Sequence, residues 1–374
     1  MTAANAEFFE LGRVAFIDWQ FEDAERAFSQ ALIIDPDHFE AKVYLARTFE
    51  ALGQMSEAIQ LYREALNVQP NHSATHLLLA QSLLADGQWI EGWAEYEWRY
   101  KGVGRDPFFK IGVPRWRGEP LRGRTLLAIG DQGYGDVMQF VRFLVRIPAM
   151  GGSTIFGCPA LLKNLFRDFS HIKHIFSDWR YAGKFDYYIP VSSLPQIFGI
   201  RAADLEKQNA YLAPSSRRVA RWRRRIRPIK NLRSIGLCWS GRSSHPNDPY
   251  RSLPFELLSN NLPVGPRFIS LQKGERSRDA QGSKVEDMTS HIYDFADTAA
   301  LIMNLDCVVT VDTSVAHLAG AMGKPVYLLL PYCADWRWGK GRETTPWYPY
   351  MRLIRQEKPN DWKGPLSRLA AELG

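Results

Sequence analysis

CVVTVDTSVAHLAGAMGKPVYLLL, residues 307–330, decides the fold of most of this chain. Cys307–Val311 is a run of apolar and β-branched residues, the signature of a buried strand. Asp312, Thr313 and Ser314 make a polar corner, and Ser314–Met322 reads as a helix. Gly323-Lys324-Pro325 stops that helix, and Val326–Leu330 is a second apolar strand. A strand, a short helix and a strand in this order make a parallel α/β unit. The corner also has a chemistry. Free N–H groups at Thr313–Val315 face a cleft, and the positive end of the helix dipole favours a phosphate there. Asp312 would repel a phosphate, so it is expected to cap the helix or order the loop. His317 follows Thr313 by four residues and shares its face; a packed helix histidine is the alternative.

Working outward, the same alternation recurs. Thr125–Ile129, Thr154–Gly157, Ser234–Trp239 and Arg267–Leu271 read as strands. Asp136–Met150, Pro159–Phe169, Pro254–Asn260, Phe295–Leu305 and a closing Asp361–Leu373 read as helices. The basic stretch Ser215–Lys230 separates two such blocks. Two α/β lobes joined by a linker place a ligand at the carboxyl ends of their strands.

Three more loops lie at such ends. Gly130-Asp131-Gln132-Gly133-Tyr134-Gly135-Asp136 joins a strand to a helix, and Gly133 and Gly135 let backbone N–H groups approach an anion. It is neither a P-loop nor GxGxxG. Asp136 is either the cap of the following helix or a general base, with Asp131 as the alternative carboxylate. Trp239-Ser240-Gly241 runs on to Arg251 just before a helix, where Ser240 and a fixed cation would meet a departing diphosphate. Gln272-Lys273-Gly274 repeats the arrangement, so Gln272 or Lys273 could reach phosphate or base. In this α/β part no Asp-x-Asp occurs, and no His, Cys, Asp and Glu cluster has metal spacing. Neither a metal nor any other cofactor is expected.

The first hundred residues obey another rule. Trp19, Gly53 and Gly87 are 34 apart, as are Gly12, Ala46 and Ala80; Ala24, Ala58 and Gly92; and Phe28, Tyr62 and Tyr96. Ala31 and Ala65 share the register, and so do Pro36 and Pro70. Small residues let paired helices approach, aromatics fill the gap, Gly-Gln breaks each pair and proline ends it. After Tyr96 the pattern decays: Arg99 stands in the small-residue column and Gly104 in that of proline. The period predicts three helical repeats over 1–104, a Gly/Pro/Arg-rich linker over 105–124, and lobes over 125–228 and 229–374.

Charge separates the parts as well. The chain of 374 residues carries a net +7. Residues 1–100 hold 6 basic and 16 acidic groups, a net −10, which leaves +17 for the remainder. A basic α/β part suits anionic ligands. Arg217, Arg218, Arg221, Arg223, Arg224, Arg225 and Arg227 surround Trp222, as a solvated helix at the lobe junction or a surface for nucleic acid or anionic membrane. No nucleic-acid motif accompanies them, and no nucleic-acid partner is expected. Trp336, Trp338 and Trp347 either stack on a base or pack under the last lobe. Cys158, Cys238, Cys307 and Cys333 have no CxxC spacing and read as buried thiols of a reducing cytoplasm. No apolar run could span a bilayer and no export signal opens the chain, so a cytoplasmic location is expected.

The 34-residue register resembles the tetratricopeptide repeat family over roughly residues 5–100. Gly135-Asp136, Arg251-Ser252-Leu253-Pro254, Asp312–Leu318, and Asp335–Trp338 with Pro346–Pro349 resemble the bacterial family-9 glycosyltransferases, the lipopolysaccharide heptosyltransferase group. That resemblance spans Thr125–Gly374. It implies two Rossmann-like lobes in a GT-B fold after the helical array, and inverting, metal-independent transfer from a nucleotide sugar. It puts Asp136 where the family has its proposed base, Arg251 near a phosphate-contacting lysine, and Thr313, Ser314 and His317 in the nucleotide-sugar loop. Arg251 is not lysine, and the first lobe is short for the family. The array is similar to that of O-linked N-acetylglucosamine transferases and flagellin glycosyltransferases, which modify proteins. A protein or peptide acceptor at the repeat groove is therefore as much expected as a glycan. The rival expectation is a repeat scaffold whose α/β part is inactive.

Overall fold

The computed structural model describes residues 3–103, 111–206 and 210–373; Gly104 and residues 105–110 of the expected linker lie outside them. The chain divides into two compact units. One holds residues up to 111 together with 199–201 and 333–341. The other holds 112–198, 202–332 and 342–374.

The first unit is built on α1 (Ala3–Ile17), α2 (Phe21–Ile34), α3 (Phe39–Leu52), α4 (Met55–Val68), α5 (Ser73–Asp86) and α6 (Trp89–Tyr96). The sequence columns explain its packing. Ala24, Ala58, Phe28 and Tyr62 are fully buried. Gly12 faces the Phe28 ring so closely that a Cβ would lie 2.6 Å from it. The turn column demands left-handed backbone: φ is +88° at Gly53, +89° at Gly87 and +62° at Trp19. His38 and His72, also 34 apart, cap α3 and α5 by accepting from Ala41 N and Thr75 N.

Segment 333–341 completes this unit. Trp336 meets the Trp93 and Tyr96 rings edge-on, at 5.5 and 6.2 Å between centroids. Lys340 Nζ donates to the carbonyls of Glu50 and Ala51, at 2.7 and 2.6 Å, so an ammonium stands at the negative end of α3. The Glu50 carboxylate accepts from Tyr62 OH, at 3.0 Å, and from Ser82 Oγ. Burial raises the Glu50 carboxyl above its ordinary value despite those donors.

The second unit contains two sheets. In chain order the first block runs β1 (Thr125–Ile129), α7 (Tyr134–Phe140), β2 (Ser153–Gly157), α8 (Ala160–Lys163), β3 (Ile172–Phe176), β4 (Tyr187–Pro190), α9 (Leu194–Ile197) and α10 (Ala203–Glu206). Its sheet is parallel in the order β3-β2-β1-β4. The segment expected as linker joins it: Trp116 is fully buried and its N–H donates to Tyr188 O, at 2.9 Å. Next comes α11 (Ser216–Ile226). The second block runs β5 (Ser234–Cys238), α12 (Asp248–Arg251), α13 (Phe255–Asn260), β6 (Arg267–Ser270), β7 (Glu286–Asp287), α14 (Phe295–Met303), β8 (Cys307–Val311), α15 (Ser314–Ala321), β9 (Val326–Leu330), β10 (Thr344–Thr345), β11 (Tyr348–Arg355) and α16 (Lys363–Leu373). Its sheet order is β10-β11-β9-β8-β5-β6-β7, with only the β10–β11 pair antiparallel. Leu366, Leu369 and Leu373 of α16 cover Ile235, Leu237 and Val309 of its central strands. Both orders reverse direction beside their first strand, the doubly wound Rossmann arrangement. No described helix is long and apolar enough to cross a membrane.

At Gly87 a Cβ would meet nothing within 4 Å, so only its backbone angle resists substitution. Gly87→Ala is expected to cost about 1–2 kcal/mol in urea unfolding. Glu50 sets a pH dependence. Its raised folded pKa favours folding below the ordinary carboxylate range, and that contribution is lost as pH rises through the folded value. The stability of the native chain relative to Glu50→Gln should therefore fall from acid to neutral pH; a difference that is flat or widens would contradict this.

Candidate functional site

The switch point of the first sheet lies between β1 and β4, and the glycine loop leaves β1 there. Gln132 in this loop holds φ +66°, an uncommon angle for a residue with a side chain. Asp131 is drawn across the switch point, where it accepts from Ser192 N, at 3.1 Å, and from Ser192 Oγ, just beyond β4. Asp131 thus ties two loops together. Asp136 is the third residue of α7, with Gly133 in the cap position. Its Oδ2 accepts from Gly133 N–H at 2.9 Å, and the side chain is half-buried. The carboxylate is thereby fixed at the mouth of the loop without being the helix cap.

The switch point of the second sheet lies between β5 and β8. Thr313, not Asp312, caps α15: its Oγ1 accepts from Val315 N at 3.2 Å. The same Oγ1 stands 3.3 Å from Thr310 Oγ1 and 3.7 Å from Cys238 Sγ at the end of β5. Burial holds the Cys238 thiol above its usual pKa, so it stays neutral beside these hydroxyls. Asp312 and Ser314 flank the cap, half-buried.

Four residues on, the His317 ring is buried and its Nδ1 lies 2.8 Å from Tyr348 OH. It also covers Gly135, where a Cβ would stand 2.6 Å from His317 Cδ2 and 3.2 Å from Nε2. The first turns of α7 and α15, one from each sheet, therefore meet face to face. Asp136 and the Thr313–Ser314 corner are brought to one place by this contact. Arg142, which the sequence pattern did not single out, closes the same seam. It donates to Gln139 O, Trp347 O and Tyr211 OH at 3.0, 3.1 and 2.7 Å, and Tyr211 OH donates to Met138 O at 2.9 Å.

The β5 exit supplies the rest. Gln272 is buried, with Oε1 accepting from Trp239 N and Ser240 N at 3.1 and 2.9 Å and Nε2 donating to Ser240 O and Lys273 O. Lys273 Nζ donates to Thr289 O and Ile292 O at 2.8 and 3.2 Å. Both side chains, expected to reach a ligand, are engaged with backbone. Ser240 and Arg251 differ. Ser240 Oγ and Arg251 Nε are buried without a hydrogen-bond partner among the described residues. The Arg251 guanidinium lies against Gly241, where a Cβ would meet Nη2 at 2.4 Å. Asp248, missed in the sequence, supports this loop: Ser252 Oγ donates to its Oδ1 at 2.8 Å, and Arg276 to its Oδ2 at 2.8 Å. The only hint of it was its neighbour Pro249, which marks a short helix start. Of the three tryptophans, Trp336 and Trp338 belong to the repeat unit, and Trp347 packs on Phe140 at 6.1 Å. All three are buried side chains.

Residues 18–82 match the tetratricopeptide repeat model, and residues 293–355 match that of glycosyltransferase family 9 (heptosyltransferase). Protein FlbA of Caulobacter vibrioides is 28% identical over 312 residues, which is 76% of this chain and 52% of FlbA; the chain spans about half the length of that relative. A family 9 glycosyl transferase from Veillonella parvula superposes over 69% of this chain and 99% of its own, with a TM-score of 0.50 and 11% identity. ADP-heptose lipopolysaccharide heptosyltransferase II of E. coli covers 67% of this chain and 97% of its own, with a TM-score of 0.49 and 14% identity.

The Gly135–His317 contact makes a direct prediction. Gly135→Ala inserts a methyl group against a buried ring and should cost about 1–3 kcal/mol in thermal unfolding. His317→Ala vacates that space, so the double variant should lose less than the two single losses combined. Strict additivity would show that the two residues do not touch.

Proposed function

We propose that this chain, tetratricopeptide repeats joined to a family 9 glycosyltransferase domain, transfers a sugar from a nucleotide-sugar donor to a protein or glycan acceptor, with inversion and without a metal. One observation carries the reading. Ser240 Oγ and Arg251 Nε are buried without a hydrogen-bond partner among the described residues, the latter 3.8 Å from Asp248 Oδ1, at the strand ends where the Thr313-capped helix begins. Leaving buried donors unmade costs about 1–3 kcal/mol each, so such groups suit a ligand that completes them. A diphosphate has the required oxygens.

The chemistry follows from this placement. The donor diphosphate lies at the α15 N-terminus, with Ser314, Ser240 and Arg251 around it. An acceptor hydroxyl approaches from the α7 side. Its oxygen attacks the anomeric carbon opposite the leaving oxygen, and its proton passes to the Asp136 carboxylate. The bond to the diphosphate breaks with its electron pair on the departing oxygen. Charge growing there is met by the helix end and by Arg251. The products are an inverted glycoside and a nucleoside diphosphate. Among the described residues no three His, Cys, Asp or Glu side chains are gathered to hold a metal ion. Asp131, bound by Ser192, positions the loop. The repeats bring the acceptor: Leu11, Val14 and Ile17 recur on one side of α1 and are 54, 58 and 63% exposed, an apolar surface suited to a polypeptide. The cytoplasm, where nucleotide sugars are made, is the proposed location.

A thermal-shift panel of ADP, UDP, GDP, CMP and their sugars tests the donor. A ligand at a hundred times its dissociation constant should add about 2.7 kcal/mol. No shift with any of them would leave the second reading, a repeat scaffold with an inactive domain. Asp136→Asn should lower transfer by about 10²–10⁴-fold and leave the nucleotide shift intact. Undiminished turnover would remove Asp136 as the base.

A further inference from the structure

The arginines of α11 fall into two sets. On the side facing α14, Arg218 donates to Asp294 and Asp297 at 2.9 and 2.8 Å, and Arg221 to Asp297 at 2.5 Å. Trp222 and Ile226 are buried beneath them. The helix is thus pinned by its own ion pairs and not merely solvated. Arg224, Arg225 and Arg227 border a cavity of about 740 Å³, which Arg221 and, from β6, Arg267 also line. Its one lining carboxylate is Glu286, and that is already held by Arg267, with Nη2 donating to Oε2 at 2.5 Å. Arg224, Arg225 and Arg227 have no carboxylate partner among the described residues.

Arg225 lies over the Trp222 ring at 5.5 Å, but three guanidiniums without a carboxylate partner around one cavity repel each other. The negative end of α11 accounts for only part: a helix terminus is worth about half an elementary charge. Arg227 is the C-cap itself, with φ +50°, an angle usually left to glycine. The cavity falls in the range of small-ligand sites, about 300–1,000 Å³. Its walls also include the aliphatic Ile229 and Met288, so it offers an apolar flank beside the cations. Guanidinium forks match phosphate oxygens in pairs, which a chloride cannot exploit, and a polyphosphate offers several such pairs where a single carboxylate offers one.

Position separates this cavity from the proposed donor site. Arg267 opens β6, and Arg227 and Ile229 lead into β5, so the cavity lies at the amino ends of the second sheet. Ser240, Arg251 and Thr313 lie at the carboxyl ends. We infer that the arginine cavity between α11 and the start of β6 is a second anion site, which binds a group carrying two or more phosphate charges. That chemistry belongs equally to a soluble polyphosphorylated molecule and to a phosphorylated lipid headgroup.

Full-length protein tests this in two arms: calorimetric titration with inorganic tripolyphosphate, and co-sedimentation with phosphatidylcholine vesicles with and without phosphatidic acid. The double variant Arg224→Gln/Arg227→Gln breaks no ion pair and should fold. It should bind more weakly by about tenfold or more in whichever arm responds. Arg217→Gln, on the same helix outside the cavity, should bind as the native chain does, and Arg251→Gln should remove only the binding that belongs to the donor site. Response to tripolyphosphate assigns a soluble ligand, and response to acidic vesicles alone assigns a headgroup. Silence in both arms overturns the site. So does weakening by Arg217→Gln equal to that of the double variant, or loss in Arg251→Gln alone, which would assign the binding to the donor site.

Discussion

A side chain of one hydrogen sets how near the two sheets come. Gly135 lies under the His317 ring, His317 is hydrogen-bonded to Tyr348, and Tyr348 in turn lies on Gly320, where a Cβ would stand 2.5 Å from its ring. Glycine, imidazole, phenol and glycine form one continuous contact from the first turn of α7 to the body of α15. Interiors are dense enough that a methyl group at either end would push the rings apart. The site depends on that spacing. Asp136 follows Gly135 in the chain, and Thr313 and Ser314 precede His317 by one turn. Arg142 reinforces the seam by holding Trp347 O, next to Tyr348.

The same economy explains which polar residues remain open to a ligand. Loops at strand ends must satisfy their own backbone before they can bind anything. Gln272 does this for the β5 exit, Lys273 for the carbonyls of residues 289 and 292, and Asp131 for the loop after β4. That leaves Ser240 Oγ and Arg251 Nε without a hydrogen-bond partner among the described residues. A flexible loop would have folded those donors onto itself.

This division of labour could not be read from residue types. The repeat register could, because a period of 34 constrains every column at once. So could the apolar strands Cys307–Val311 and Val326–Leu330, since a parallel strand buried on both faces leaves no polar gap. β3 passed unnoticed because Lys173 and His174 face outward from its edge position. β11 was hidden by Pro349 and by its exposed Tyr350 and Arg352. At the site, Thr313 and Ser314 stood out from their place before a helix. Asp312 and Thr313 compete for the cap in sequence, and only the backbone decides between them. Gln272 and Lys273 looked like ligands because the chain shows donors but not the carbonyls they reach. Trp336 and Trp338 were grouped with Trp347 by proximity in sequence, although the first two belong to the other unit.

Their membership there bears on how the protein is made. The core of the repeat unit is not encoded in one stretch: Lys340, which closes the end of α3 at Glu50, follows it by 290 residues. A ribosome adding about 5–20 residues per second needs roughly 15–60 s to supply it. Over that interval the helices of the array exist with Trp93 uncovered by Trp336 and the α3 terminus uncapped. The nascent repeats are therefore an open surface for the whole time in which the α/β sheets are being synthesised, and the last turn of the array is sealed only once both sheets are nearly complete.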